Sequence, residues 1–264
     1  MKTSKIIPTI ISLAAGLSGA NAALFTNGAM GSFTDGVPAG WVSTGNLVNY
    51  VTPSQNSTNS PFVNAYANNG SSFALNDNAT TTDAGYAQIF STTTNYQSIS
   101  VNFDFMVPTL TASQAAGAWG IQFDGAGASG TASSSIHYRI DRNGNFSISN
   151  GAGITDILAL QAGAWYNVQA AFQVTAINDG SNNGAGKQSG TITRYGDATG
   201  TSWADVATIN TTLGYSRMLI RDRASGVQSG GLQIDNVSVV PEPSSALLLL
   251  SGAGSLLAFS RRRE

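Results

Sequence analysis

Few residues in this chain are equipped for catalysis. Its 264 residues include no cysteine and one histidine, His137. That excludes thiol nucleophiles and cysteine-held metals, and it leaves one candidate base for a serine triad. No serine sits in a Gly-x-Ser-x-Gly elbow, and His137 lies in a strand-like stretch where a cross-strand or surface role suffices. Between residues 23 and 240 all twelve acidic residues are aspartates, and the two glutamates of the chain are Glu242 and Glu264. Glycosidic hydrolysis needs one carboxyl group to protonate the leaving oxygen and another to attack or to activate water. Asp104 and Asp124 are the pair whose strand segments look adjacent, but solvated faces of an acidic sheet account for both. The expectation is no catalytic residue and no enzyme.

Two further groups suggest binding. The run Asp179-Gly-Ser181-Asn-Asn183-Gly184 partly fits an oxygen-ligand loop for calcium, a hard ion that wants several oxygens converging on a glycine-permitted turn. Asp179, Ser181 and Asn183 are the candidate ligands. The ninth position is Lys187 and the twelfth is Gly190, where a bidentate acid belongs, so a charge and two ligand atoms are missing and a polar loop between two strands is the simpler reading. Sugar binding needs an exposed aromatic platform beside planar polar groups. Trp41 and Trp203 stand next to Gly/Ser/Thr-rich segments and are the candidate platforms, whereas Trp119 and Trp165 fall in strand patterns and are assigned to the core.

The elements that must position these residues read as β structure. In Ser98–Val107, Ile99, Val101, Phe103, Phe105 and Val107 alternate with polar residues, so one sheet face is apolar and the other carries Asn102 and Asp104. Trp119–Phe123 repeats the pattern, and His137–Ser149 reads as a hairpin about Asn143-Gly144. Further strands are expected at 165–174, 191–195, 206–209, 217–221 and 232–240, with weaker ones near 47–51, 72–75 and 86–90. Short helical candidates are limited to 112–118 and 154–160. Polar surface loops are expected at 55–61 and 178–190. The pattern predicts one all-β domain, an antiparallel sandwich or jelly roll over residues 23–240. Within that span seven Lys/Arg face twelve Asp, a net charge of −5 with the bases scattered. This excludes nucleic acid as a partner.

Several phrases resemble concanavalin A-like (laminin G-like) jelly rolls of bacterial surface proteins. They are FTDGVPAGW (33–41), SISVNFDFMV (98–107), HYRIDRNGNFSIS (137–149), LQAGAWYNVQAAFQV (160–174) and GLQIDNVSV (231–239). The closing IDNVSV also resembles galactose-binding-like jelly rolls, the competing fold. The concanavalin A-like resemblance implies contact with carbohydrate. Glycosidases of that family carry Glu-x-Asp-x-x-Glu, which a segment without glutamate cannot supply.

Both ends read as addresses. Residues 1–22 place Lys2 and Lys5 before an apolar run and close on Ala20-Asn21-Ala22, the form of a cleaved signal peptide. After the last strand come Pro241-Glu242-Pro243, then the apolar run Ala246–Phe259, then Arg261-Arg262-Arg263. The prolines end the strand, and the apolar run suits a short membrane helix. The arginines suit a cytoplasmic anchor. This ordered trio, residues 241–264, resembles the PEP-CTERM sorting signal, also described as an ice-binding-protein C-terminal domain. The resemblance implies recognition of Pro241, Glu242 and Pro243 by an exosortase-type membrane protease and transient anchoring by the helix. Release to the cell surface or an exopolysaccharide matrix follows, and ice binding is not implied. The expected protein is a non-catalytic surface or matrix protein that touches polysaccharide, or else a purely structural component. An Asp-based polysaccharide hydrolase is the remote alternative.

Overall fold

The structure is a computed structural model that describes residues 30, 33–34, 37–44, 51–56, 61–62, 72–77, 85–92, 96–108, 110, 118–125, 136–141, 144–149, 153–176, 185–208, 214–222 and 231–242. Among the described residues every regular element is a strand. In chain order these are β1 (Phe33–Thr34), β2 (Val37–Pro38), β3 (Val42–Thr44), β4 (Val51–Asn56), β5 (Ser72–Asp77), β6 (Gly85–Ile89), β7 (Ser98–Met106) and β8 (Ala118–Asp124). They continue with β9 (Ile136–Asp141), β10 (Asn145–Ser149), β11 (Ile154–Ala159), β12 (Trp165–Ala176), β13 (Ala185–Arg194), β14 (Thr201–Thr208), β15 (Arg217–Asp222) and β16 (Leu232–Pro241).

Beside a small β1–β2 ribbon, two seven-stranded sheets form a sandwich. The first has the order β11-β10-β9-β8-β15-β6-β3 and the second β14-β13-β12-β7-β16-β5-β4. The late strands β15 and β16 enter the middle of the sheets, each between a strand from the first third of the chain and one that follows it. Every described pairing is antiparallel. Aromatic rings from both sheets interlock between the layers. Phe103 and Phe105 of β7 meet Tyr138 of β9 and Phe146 of β10, with the Phe105–Phe146 centroids 5.8 Å apart. Phe172 of β12 meets Phe123 of β8 at 5.1 Å. Each ring buries on the order of 150–250 Å², so this aromatic layer supplies much of the driving force for closing the sandwich.

The alternation in β7 is realised as read, with Ile99, Val101, Phe103 and Phe105 in the core. The β9–β10 hairpin turns through Gly144 at φ 92°, a left-handed conformation that glycine adopts without steric cost. Trp119 and Trp165 are buried as expected. Two expectations are corrected. Residues 154–160 were a helical candidate, but 154–159 form β11, an edge strand paired with β10. Residues 185–190, placed in a polar loop, are the first half of β13 and pair with both β12 and β14. Lys187 and Gly190, the ninth and twelfth positions of the calcium-like run, are therefore ladder residues, while Asp179, Ser181 and Asn183 lie outside the described residues. So do residues 1–22, where a signal peptide is expected, Pro243, the apolar run 246–259 and Arg261–Arg263.

His137 is a core residue. Its Nδ1 accepts the Phe123 backbone N–H at 3.1 Å, and its ring stands edge-on to Phe172 with centroids 4.9 Å apart. Burial pushes its pKa from 6.5 down to about 3. The unfolded chain takes up a proton as pH falls through 6.5, whereas the native ring stays neutral until about 3, so stability is full above 6.5 and is lost across that window. The expected loss at pH 5 is about 2 kcal/mol. Thermal melts between pH 7 and pH 5 check it, and the His137→Gln variant should show a much flatter profile.

Candidate functional site

The outer face of the second sheet is built of cross-strand rows that the ladder register defines. With odd-numbered apolar residues of β7 facing inward, Ser98, Ser100, Asn102 and Asp104 face out. Their partners on β12 are Gln173, Ala171, Gln169 and Asn167. On β13 these continue to Lys187, Ser189, Thr191 and Thr193. On β16, Asp235, Ser238 and Val240 stand beside Asp104, Asn102 and Ser100. One row therefore reads Ser202–Thr191–Gln169–Asn102–Ser238 across five strands, about 19 Å at the usual strand spacing. Above this row and the Ser189–Ala171–Ser100–Val240 row lies an open groove of about 790 Å³.

A buried polar network fixes the groove at one end. Asp104 Oδ1 accepts from Asn167 Nδ2 at 2.5 Å, and Asp104 Oδ2 accepts from Asn236 Nδ2 at 2.8 Å. Asn167 also donates to Asn102 Oδ1 at 2.9 Å and accepts from Gln169 Nε2 at 3.0 Å. Asn236 reaches Asp104 because β16 bulges between Asp235 and Ser238 and Asn236 takes φ 53°, a conformation asparagine tolerates better than most residues. The buried carboxylate thus sets the rotamers of Asn102 and Gln169, the two amides at the groove floor. Amides held in place before a ligand arrives lose little entropy on binding it.

The opposite end of the same face holds Lys187, ion-paired to Asp205 at 3.0 Å, and Glu242, whose carboxylate accepts from Ser98 Oγ and Ser100 Oγ. Lys187, Asp205, Ser98 and Glu242 line a second cavity of about 440 Å³ that shares Ala171 and Ser189 with the first.

Beyond Thr193 the outward series of β13 reaches Tyr195, whose N–H donates to Trp165 O at 2.8 Å. Tyr195 is 56% exposed and stands edge-to-face with Phe62, their centroids 5.5 Å apart. Arg194, on the opposite parity of β13, donates to Asp197 at 2.7 Å and to Gln161 at 2.6 Å. Sequence reasoning passed over this aromatic site. The available signal was a tyrosine directly before Gly196, which takes φ 92° in the turn after β13.

The residues named from sequence are placed differently. Trp41 and Trp203 are 5% and 7% exposed, so neither is an open platform. Trp203 faces inward from β14, packed against Tyr138 and Phe146 at 5.9 and 6.0 Å, and reaches the groove only as part of its floor. Space for its ring exists because Gly190 lies opposite: a Cβ there would stand 2.5 Å from Trp203 Cζ2. Asp104 and Asp124 do not converge. Asp104 faces out from the second sheet, whereas Asp124 faces out from the first, where Arg217 Nε and Nη2 clamp it at 2.7 and 2.6 Å. The two carboxylates flank the whole sandwich and cannot act on one glycosidic bond. Among the described residues no group of three or more His, Cys, Asp or Glu is placed to hold a metal ion.

Residues 239–263 match the PEP-CTERM protein-sorting motif. No curated protein matches the chain. Among solved structures it is similar to the marine PL-14 alginate lyase from Aplysia kurodai, at 8% identity over 72% of this chain and 87% of that one, with a TM-score of 0.50. It is also similar to the carbohydrate esterase vb_24B_21 from the Shiga toxin-encoding bacteriophage phi24B, at 12% identity over 84% of this chain and 100% of that one, with a TM-score of 0.50. Lectin UEA-II complexed with galactose matches at 10% identity over 77% and 93% of the two chains, with a TM-score of 0.45. A sialidase matches over a segment that is 15% of its own length. At these identities the likeness is one of fold.

Proposed function

We propose that this chain is an exported surface protein that holds extracellular polysaccharide on the outer face of its second sheet without cleaving it. The sorting motif at 239–263 supports export and processing by an exosortase-type protease. The observation that carries the binding reading is the groove floor. Ser202, Thr191, Gln169, Asn102 and Ser238 present hydroxyls and amides in one row, with Gln169 and Asn102 held by the Asp104 network. Such groups exchange hydrogen bonds with sugar hydroxyls in both directions, and a row about 19 Å long suits several rings of a chain better than one free sugar. The floor itself carries no charge, which favours a polymer whose contacts there are neutral. Tyr195, about 13 Å along β13 from Thr191, adds an apolar face on which a sugar ring can stack.

The absence of catalysis is part of the same proposal. Asp104 is occupied by two amides, and Asp124 is on the far face with Arg217.

A glycan array probed with the intact chain, with and without calcium, tests the reading. Retention on one or more polysaccharides without reducing-sugar release is expected. Silence on every glycan would leave a structural matrix role, and sugar release would revive the hydrolase. The Tyr195→Ala variant is expected to bind a polysaccharide ligand about tenfold more weakly with little change in melting temperature, since the ring is exposed and its stacking contributes on the order of 1 kcal/mol. Titration calorimetry alongside a thermal melt separates the two effects.

A further inference from the structure

The sorting motif does not begin where the fold ends. β16 stays in register with β7 through Pro241, which stands opposite Ile99. The next residue, Glu242, donates its backbone N–H to Ser98 O at 3.1 Å. Its side chain then turns back onto the sheet, where Ser98 Oγ donates to Oε2 at 2.8 Å and Ser100 Oγ to Oε1 at 2.7 Å. The spacing explains the fit. Serines two apart on a strand point to the same face, and a carboxylate between them receives one hydroxyl on each oxygen. Pro241 has no N–H for the ladder, so the pairing of this last segment depends on Glu242.

We propose that Ser98 and Ser100 form an intramolecular docking site for the glutamate of the sorting motif, and that the processing protease engages Pro241-Glu242-Pro243 only after this contact opens. The inference rests on the reading that the tail is processed. A protease that reads an extended segment competes with β7 for a glutamate whose carboxylate and amide are both bonded there. Only the undocked fraction is then competent, and the apparent affinity of the protease is reduced by that fraction. The contact is exposed, so its effect is graded rather than absolute. The same contact closes one end of the polar face, because Glu242 and Ser98 line the cavity that adjoins the groove.

The test is pulse–chase of the full chain in its own host, following conversion of precursor to processed protein. The double variant Ser98→Ala/Ser100→Ala should be processed roughly three- to tenfold faster, the range expected for two exposed hydrogen bonds to a charged acceptor. Ser98→Thr/Ser100→Thr keeps both hydroxyls and should be processed at the original rate. Wild-type kinetics in the alanine variant would overturn the docking proposal, as would equal acceleration in the threonine variant, which would signal loosened packing rather than lost hydroxyls. Glu242→Ala separates the two levels: blocked processing upholds the motif reading, whereas unchanged processing removes the premise itself.

Discussion

Replacing Arg217 with methionine is expected to destabilise the domain by about 3–5 kcal/mol and to lower its melting temperature by roughly 10 °C. The guanidinium holds Asp124 through two parallel contacts, Nε to Oδ1 and Nη2 to Oδ2, while Gln122 Nε2 adds a third at 2.6 Å. The Asp124 side chain is 2% exposed and that of Arg217 is 12% exposed, so water cannot replace the lost partner. The hydrogen bond to Asp124 raises the pKa of Arg217 above its ordinary value, so the guanidinium keeps its charge at any physiological pH. The strain of the single variant comes from an uncompensated buried carboxylate. Adding Asp124→Leu to Arg217→Met should therefore recover most of the loss, and a double-mutant cycle by chemical denaturation measures that coupling. Purely additive losses would show that the pair does not act as a unit.

The Trp203→Ala variant should lose about 3–5 kcal/mol, the range for emptying a large aromatic site in a core. Its indole packs on Tyr138 and Phe146 across the sandwich and fills the gap opposite Gly190, so a cavity would open between β13 and the first sheet. The milder Trp203→Phe variant distinguishes core filler from sugar platform. It should cost about 1–2 kcal/mol in stability while leaving polysaccharide affinity unchanged. A ligand platform would behave in the opposite way, losing affinity at constant stability. Filling the same gap from the other side, by Gly190→Val, should also destabilise the domain, because the Gln169 carbonyl lies 2.5 Å from the new Cβ.

Strands were legible wherever apolar residues alternate with polar ones. Ser98–Met106 shows both faces in its letters because aromatic and β-branched residues occupy every inward position. The second half of β13 reads as a strand at 191–195, but its first half does not, since Ala-Gly-Lys-Gln-Ser-Gly has the composition of a loop. Its first half is a strand because β12 and β14 pair with it on both sides, and Gly190 is there to clear the Trp203 ring. Tertiary pairing overrode local propensity. β11 is the converse case: Ile154–Ala159 reads as a short apolar helix turn, yet pairing with β10 extends it.

The site was less legible than the fold. Trp203 looked exposed because a Gly/Ser/Thr-rich segment adjoins it, but the period of two turns the tryptophan inward and Ser202 outward. Asn102 and Asp104 were correctly placed on the polar face. Their partners Asn167 and Asn236 could not be read from the sequence, because they depend on strand register and on a bulge. Glu242 was assigned to the tail, and its seat on Ser98 and Ser100 follows only from the register of β16 on β7.

Affinity electrophoresis tests the central claim most directly: the intact chain is run through gels containing the extracellular polysaccharide of its own host, beside the double variant Gln169→Leu/Thr191→Val. These two side chains sit in mid-groove on the outer face, so the variant should melt close to the parent temperature. The account predicts that the parent chain is retarded in proportion to polysaccharide concentration and that the variant, still folded, migrates as it does in an empty gel. Equal retardation of both would place binding elsewhere and contradict the account.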